Sequence, residues 1–259
     1  MTKRRLFALS DPHLSFASDK PMDVFGPHWR DHASRIEGNW RDSVGPDDVV
    51  LIPGDISWGI RLDKALPDLE WLAALPGEKI MVRGNHDYWW QSLGKLNRLG
   101  LKGMHFIQNN QVIVGGLAVG GSRLWDFPDI VWPFDYLETG GEAEEKTPKD
   151  LARAKREGDP LKIRAREMDR LRLSLSGLPK VAALKVAVTH FPPLGEDGAP
   201  TPITDVISRF GVDICVFGHI HAPSSRRRPG EDVVIGGTRY VLAASDHLGH
   251  KPIMLAEFE

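Results

Sequence analysis

Five short stretches of this chain carry side chains able to hold a cation. They are SDPH with Asp11 and His13, PGD with Asp55, RGNHD with Asn85, His86 and Asp87, THF with His190, and GHIH with His219 and His221. Leaving His86 and Asp87 aside, the set is two carboxylates, one amide and four imidazoles. Gathered in one place, these groups lose hydration, and the like charges disfavour ionisation. A divalent cation removes that cost, and imidazole with carboxylate suits manganese, iron or zinc better than calcium. Seven donors exceed what one tetrahedral or octahedral ion needs once a position is left open for water. Two ions sharing a carboxylate use the whole set, at the ~3.5–4 Å separation of two-metal sites.

The elements that must position these residues can be read from apolar runs that end in polar ones: RLFALSDPH, DDVVLIPGDIS, KIMVRGNHD, ALKVAVTHF and VDICVFGHIH. Their length and β-branched content predict buried strands, each feeding a loop. In open α/β sheets the carboxyl ends of strands form the ligand crevice. Period-two alternation then puts residues 11 and 13 on one side, and 219 and 221 likewise. Helical patterns fall between the strands, from about His28 to Ser43, Leu62 to Leu75 and Trp89 to Leu99. Thr201 reads as an N-cap before Pro202. QVIVGGLAVGGSRLW predicts a hairpin hinged at Gly115-Gly116, and VVIGG, RYVLAAS and PIMLAEF add further sheet. This alternation gives an α/β fold of two packed sheets with helices outside.

Residues 126–180 break the pattern and read as an irregular, acidic, then helical insertion, cap-like over one end of a single domain spanning 1–259. A helix break is expected near Gly158–Pro160, followed by a buried stripe of Leu161, Ala165, Met168, Leu171 and Leu175. In RGNHDYWW, Tyr88, Trp89 and Trp90 are expected to open the next helix. At least one tryptophan would pack beneath the sheet, leaving the other as a candidate for the rim. Gly84 is expected to let the backbone turn sharply.

The ordered series D-x-H, GD, GNHD, H and GHIH resembles the calcineurin-like metallophosphoesterase superfamily across residues 11–221. That resemblance implies a four-layer α/β/β/α sandwich and two divalent metal ions, manganese first, with iron or zinc as alternatives. It implies one metal held by Asp11, His13 and His221, a second by Asn85, His190 and His219, and Asp55 between them. His86 would stabilise the phosphoryl charge and protonate the leaving oxygen, with Asp87 orienting its ring. A bridging water or hydroxide would attack phosphorus in line.

Departures narrow the branch. GDISWGI lacks the GD-x-x-D-R-G of protein Ser/Thr phosphatases. Trp58 stands where purple acid phosphatases carry a metal-binding tyrosine, and His86 stands where lipid A precursor pyrophosphohydrolases carry arginine. The pattern is most similar to bacterial phosphodiesterases, DNA-repair nucleases and a bacterial group of predicted phosphohydrolases. The expected function is therefore a dinuclear phosphodiesterase acting on a small phosphate ester or nucleotide. Alternatives are a phosphomonoesterase, a pyrophosphohydrolase, or a catalytically silent scaffold that keeps the fold.

Bulk properties set the remaining bounds. With 41% hydrophobic and 26% charged residues the chain is of the globular class. A net charge of −2 gives no sign of nucleic-acid or membrane-surface binding, although nucleic acid stays possible as a substrate. No apolar run approaches the ~20 residues of a membrane span, and the short LFAL run near the start reads as a strand, not an export signal. The single Cys215, in a strand, is compatible with the cytoplasm. His28, His32, His105, His247 and His250 lie outside the pattern and read as surface or helix histidines. Arg61, Arg123 and Trp58 divide between substrate contact and ordinary packing. Arg226-Arg227-Arg228-Pro229-Gly230 reads as a solvated hairpin tip.

Overall fold

The computed structural model describes residues 3–126, 159–195, 198–221 and 232–259. The first sheet contains β1 (Arg4–Ala8), β2 (Val49–Ile52), β3 (Glu78–Val82), β4 (Met104–Ile107) and β11 (Ile253–Phe258), in the order β11-β1-β2-β3-β4. The second contains β5 (Gln111–Val114), β6 (Leu117–Ser122), β7 (Leu184–Thr189), β8 (Ile214–Phe217), β9 (Asp232–Ile235) and β10 (Thr238–Leu242), in the order β5-β6-β7-β8-β10-β9. The inner strands pair in parallel, and the strands β11, β5 and β9 pair antiparallel at the edges. The helices are α1 (His32–Ser43), α2 (Leu62–Ala74), α3 (Leu93–Asn97), α4 (Pro160–Ser176) and α5 (Pro202–Arg209).

Strand alternation builds three apolar layers. Leu6 and Ala8 of β1, Val49 and Leu51 of β2, and Ile80 and Val82 of β3 face Val186 and Val188 of β7 and Ile214 and Val216 of β8 between the sheets. The intervening Phe7, Val50, Ile52 and Met81 turn outward to Ile36 and Trp40 of α1 and Leu69 and Leu72 of α2. On the far side, Ala187, Cys215 and Phe217 meet Leu171 and Leu175 of α4 and Ile203 and Ile207 of α5. Residues buried on both faces of a parallel sheet explain why these strands read as unbroken apolar runs. The result is the expected α/β/β/α sandwich.

Local signals act as their chemistry requires. Thr201 Oγ1 accepts from the amides of Ile203 at 3.1 Å and Thr204 at 3.4 Å, while Thr204 Oγ1 accepts from the Thr201 amide at 2.9 Å. This reciprocal capping box starts α5. The β5–β6 hairpin turns at Gly115, where φ is 59°. At the end of α2 the buried Lys79 ammonium donates to the carbonyls of Ala73 at 3.3 Å, Gly77 at 2.9 Å and Leu75. A cation there satisfies carbonyls that the helix end leaves open.

Several expectations are corrected. Residues Pro27–Trp29 form a 3₁₀ turn, and α1 starts only at His32 behind a left-handed Asp31. The helix expected from Trp89 shrinks to Leu93–Asn97. The Trp90 amide donates to the Asp87 carbonyl and Trp89 Nε1 to the Asp87 carboxylate, so a turn follows GNHD. Trp89 and Trp90 are both buried in the first helical layer, and neither stands at a rim. β4, from MHFI, was not anticipated. In α4, Leu161 and Ala165 are exposed, and the buried stripe runs through Ile163, Glu167, Met168, Leu171, Ser174 and Leu175. This helix is a layer of the sandwich: Ser174 Oγ accepts from the Gly121 amide at 2.8 Å, and Ser122 Oγ donates to the Glu167 carbonyl at 3.0 Å. The irregular acidic half of the expected insertion, including the helix break at Gly158, and the arginine run at 226–228 lie outside the described residues.

Candidate metal centre

The loops that leave β1, β2 and β3 in one sheet meet those that leave β7 and β8 in the other. The first two loops run side by side, with the Asp11 amide donating to the Gly54 carbonyl and the His13 amide to the Asp55 carbonyl, each at 3.1 Å. Asp11, His13, Asp55 and His219 all hold positive φ, at 56°, 44°, 49° and 70°. Left-handed backbone costs a side-chain-bearing residue about 1–2 kcal/mol. Four such residues at one place mark a site where geometry is held against local preference. The convergence of residues 11 with 13 therefore comes from twisted loops beyond the strand ends, not from strand alternation.

Two groups of donors result. Asp11, His13 and His221 place one ligand atom each within 4.8 Å of one another, and so do Asp11, Asp55 and His190. All five residues are buried. Asp11 is common to both groups, and Asp55, a member of the second, lies between their histidines, with Oδ2 3.7 Å from His13 Nε2 and Oδ1 3.5 Å from His190 Nε2. Asn85 Oδ1 sits 2.5 Å from His190 Nε2 and 3.1 Å from His219 Nδ1. His190 turns its other nitrogen to the Pro53 carbonyl at 2.8 Å. Residues 219 and 221, expected on one side, thus serve different ends of the cluster.

Burial sets the protonation states. It pushes the Asp11 carboxyl up to about 7, against the opposing pull of His221. Burial and neighbouring imidazoles hold His13 and His190 well below the usual histidine range, and burial takes His219 down to about 4. Neutral imidazoles with free lone pairs are the ligand form of histidine. Their crowding is unfavourable without a cation: His13 Nε2 and His221 Nε2 face each other at 3.3 Å. The donor set fits divalent ions, whose charge inverts these shifts.

His86 stands beside the cluster, its amide donating to Asp55 Oδ1 at 2.8 Å and its Nε2 3.8 Å from Asp55 Oδ2. Asp87 behaves differently from expectation. Its carboxylate accepts from the amides of Ile56, Ser57 and Gly84 and from Trp89 Nε1, at 2.9, 3.2, 2.7 and 2.9 Å. It fixes the loops carrying Asp55 and Asn85 and does not bond the His86 ring. Gly84 is also reinterpreted. Its φ is not positive, but a Cβ there would lie 2.0 Å from Asp55 Oδ1, so close approach excludes a side chain.

Aromatic rings wall the centre. Trp58 stacks on His13 with centroids 5.0 Å apart and comes within 4.4 Å of His86, under the Lys20 ammonium at 4.7 Å. Trp29, fully buried, meets His13 edge-on at 5.8 Å. The sequence offered no signal for Trp29 beyond a tryptophan near a turn. Exposed Arg61 pairs with exposed Asp63, and buried Arg123 lies 3.7 Å from Glu167 and over the Trp125 ring. His250, expected at the surface, is buried between Ser245 Oγ at 2.8 Å and the His28 carbonyl at 2.9 Å.

The family model for calcineurin-like phosphoesterases matches residues 4–223. The chain belongs to that family. Among curated proteins it is similar to the Gene 66 protein of Mycobacterium phage D29, 41% identical over 79 residues, 30% of this chain and 38% of the relative. The Gene 66 protein of Mycobacterium phage L5 is 32% identical over 78 residues, 30% of this chain and 37% of the relative. The chain spans well under half the length of these relatives. Among solved structures, GAP50, the anchor in the inner membrane complex of Plasmodium, aligns with TM-score 0.50 and 13% identity over 95% of this chain and 73% of that one. A protein of unknown function from Aquifex aeolicus aligns with TM-score 0.47 and 15% identity over 97% and 95%. Membership of the calcineurin-like phosphoesterase family thus coincides in this chain with a buried cluster of side chains able to hold a metal ion. No helix among the described residues is long and apolar enough to cross a membrane.

Proposed function

We propose that the protein is a dinuclear phosphodiesterase, with manganese the first choice of metal and iron or zinc the alternatives, acting on a small phosphate ester or nucleotide. The observation that carries this reading is Asp55, whose two carboxylate oxygens face His13 on one side and His190 on the other, beside Asp11, which belongs to both groups of buried donors. Asp11, His13 and His221 would hold one ion, Asn85, His190 and His219 the other, with Asp55 shared. Divalent ions in such sites neutralise phosphoryl charge and lower the pKa of water.

The chain's own groups do the rest. His86 is placed to donate a proton to the leaving oxygen from beside Asp55. Trp58 and Trp29 keep water from the His13 flank, and Asp87 holds two ligand loops in register through backbone amides. The preference for diesters is supported by the sequence pattern that joins His13 to GNHD and GHIH. A cytoplasmic location is supported by the single, buried Cys215. The test is to quantify bound metal in the purified protein. Turnover of bis-p-nitrophenyl phosphate is then compared with that of p-nitrophenyl phosphate, with and without added manganese. Faster diester turnover is expected. Faster monoester turnover would reject the diester preference, and metal binding without either turnover would favour a scaffold.

A further inference from the structure

One ligand histidine has a partner that the metal motifs do not contain. His221 Nδ1 lies 3.0 Å from Asp246 Oδ1, and both side chains are almost fully buried, at 5% and 1% exposure. We propose that Asp246 is a positioning residue of the metal centre, holding His221 in the one tautomer that points a lone pair at the cation; this rests on the metal-dependent reading above. A carboxylate can only accept at this distance, so the ring must donate Nδ1–H. The Nε2 lone pair is then directed into the cluster, where it sits 3.3 Å from His13 Nε2 and 3.9 Å from Asp11 Oδ1.

The loop that carries Asp246 is fixed on both sides. Before it, Ser245 N donates to the Ser10 carbonyl at 2.9 Å, tying the loop to the residue preceding Asp11. After it, the His250 amide donates to the Ser245 carbonyl at 2.7 Å, and Asn39 Nδ2 donates to the His250 carbonyl at 3.0 Å. The Asp246 carboxylate is thus presented to His221 by a closed turn. Its second oxygen, Oδ2, has no hydrogen bond among the described residues and stands 3.9 Å from His28 Nε2.

The contrast with His190 sharpens the assignment. His190 Nδ1 meets the neutral Pro53 carbonyl at 2.8 Å, so each of these two ligands is oriented from behind, by a different kind of acceptor. A carboxylate behind a ligand imidazole raises its basicity as well as fixing its ring, and loss of such partners typically weakens metal affinity ~10–100-fold. The effect should fall on the ion held by Asp11, His13 and His221 and spare the other.

The experiment has two readouts. In metal-free protein, long-range ¹H–¹⁵N correlation reads the His221 tautomer, assigned by the loss of its signals in His221→Asn. The unaltered protein should show Nδ1–H alone, and Asp246→Ala a mixture of tautomers. Manganese titration should then show one of two sites weakened ~10–100-fold in Asp246→Ala. Asp246→Asn, whose amide oxygen can still accept, should lie between, and it keeps the question answerable if the alanine variant fails to fold. An unchanged tautomer with unchanged affinity in both variants overturns the role of Asp246. Absence of manganese binding by the unaltered protein overturns the metal centre instead, so the two failures are distinguishable.

Discussion

His86 and Asp87 stand side by side in the sequence and do different work. His86 borders Asp55 and the Trp58 ring, whereas the Asp87 carboxylate is saturated by four donors from neighbouring loops. Replacing His86 by alanine should lower turnover ~10²–10⁴-fold, the range for a lost general acid. Metal content, measured by elemental analysis, should stay unchanged; its loss along with activity would show that His86 is a ligand. The donor types at the centre were legible in the sequence because imidazole and carboxylate in ordered motifs have few other uses at strand ends. The role of Asp87 was not legible, since a carboxylate's partners depend on which loops tertiary packing brings to it. His250 was hidden for the same reason: its burial depends on Ser245 and the His28 carbonyl.

The strands were readable as elements because burial on both faces leaves apolar runs with clear ends. Helix boundaries were less so, because Asp87 turns the chain after GNHD and delays α3 until Leu93. The convergence of the ligands was predicted from strand alternation, yet it is produced by left-handed residues beyond the strands, which no periodicity reveals. Lys79 marks another limit, a lysine in a buried strand that closes the end of α2. Burial lowers its pKa to about 8, so the ammonium persists at neutral pH, where its three carbonyl partners favour the charged form. Lys79→Met keeps the aliphatic stem but removes all three bonds. It should destabilise the protein by ~2–3 kcal/mol in urea unfolding, as for hydrogen bonds to a charged group. A change under ~0.5 kcal/mol would show that water replaces the ammonium.

For the whole molecule, the buried neutral histidines make stability depend on pH. His250 is held down to about 4, against an ordinary value of 6.5. The unfolded chain therefore binds the proton first as pH falls, and stability is lost from about pH 6.5 downward toward 4. At pH 5 the loss from this residue is about 2 kcal/mol. Urea unfolding of metal-free protein at pH 7 and pH 5 should show that much less pH sensitivity in His250→Gln than in the unaltered chain. Metal acts in the opposite direction. At a hundred times its dissociation constant, manganese should add ~2.7 kcal/mol of stability. That should raise the melting temperature ~5–10 °C, reversibly with a chelator. No shift would mean that the centre does not load.

The donors come from both sheets: Asp11, Asp55 and Asn85 follow strands of one, His190, His219 and His221 follow strands of the other. Any cation held among them is a rivet through the seam of the sandwich. Stripping it should loosen that seam first, so amide exchange would quicken at the carboxyl ends of β1, β2, β7 and β8 while β9 and β11, at the outer edges, keep their pace. The same ions that serve chemistry would then set how firmly the two halves of the molecule are clamped.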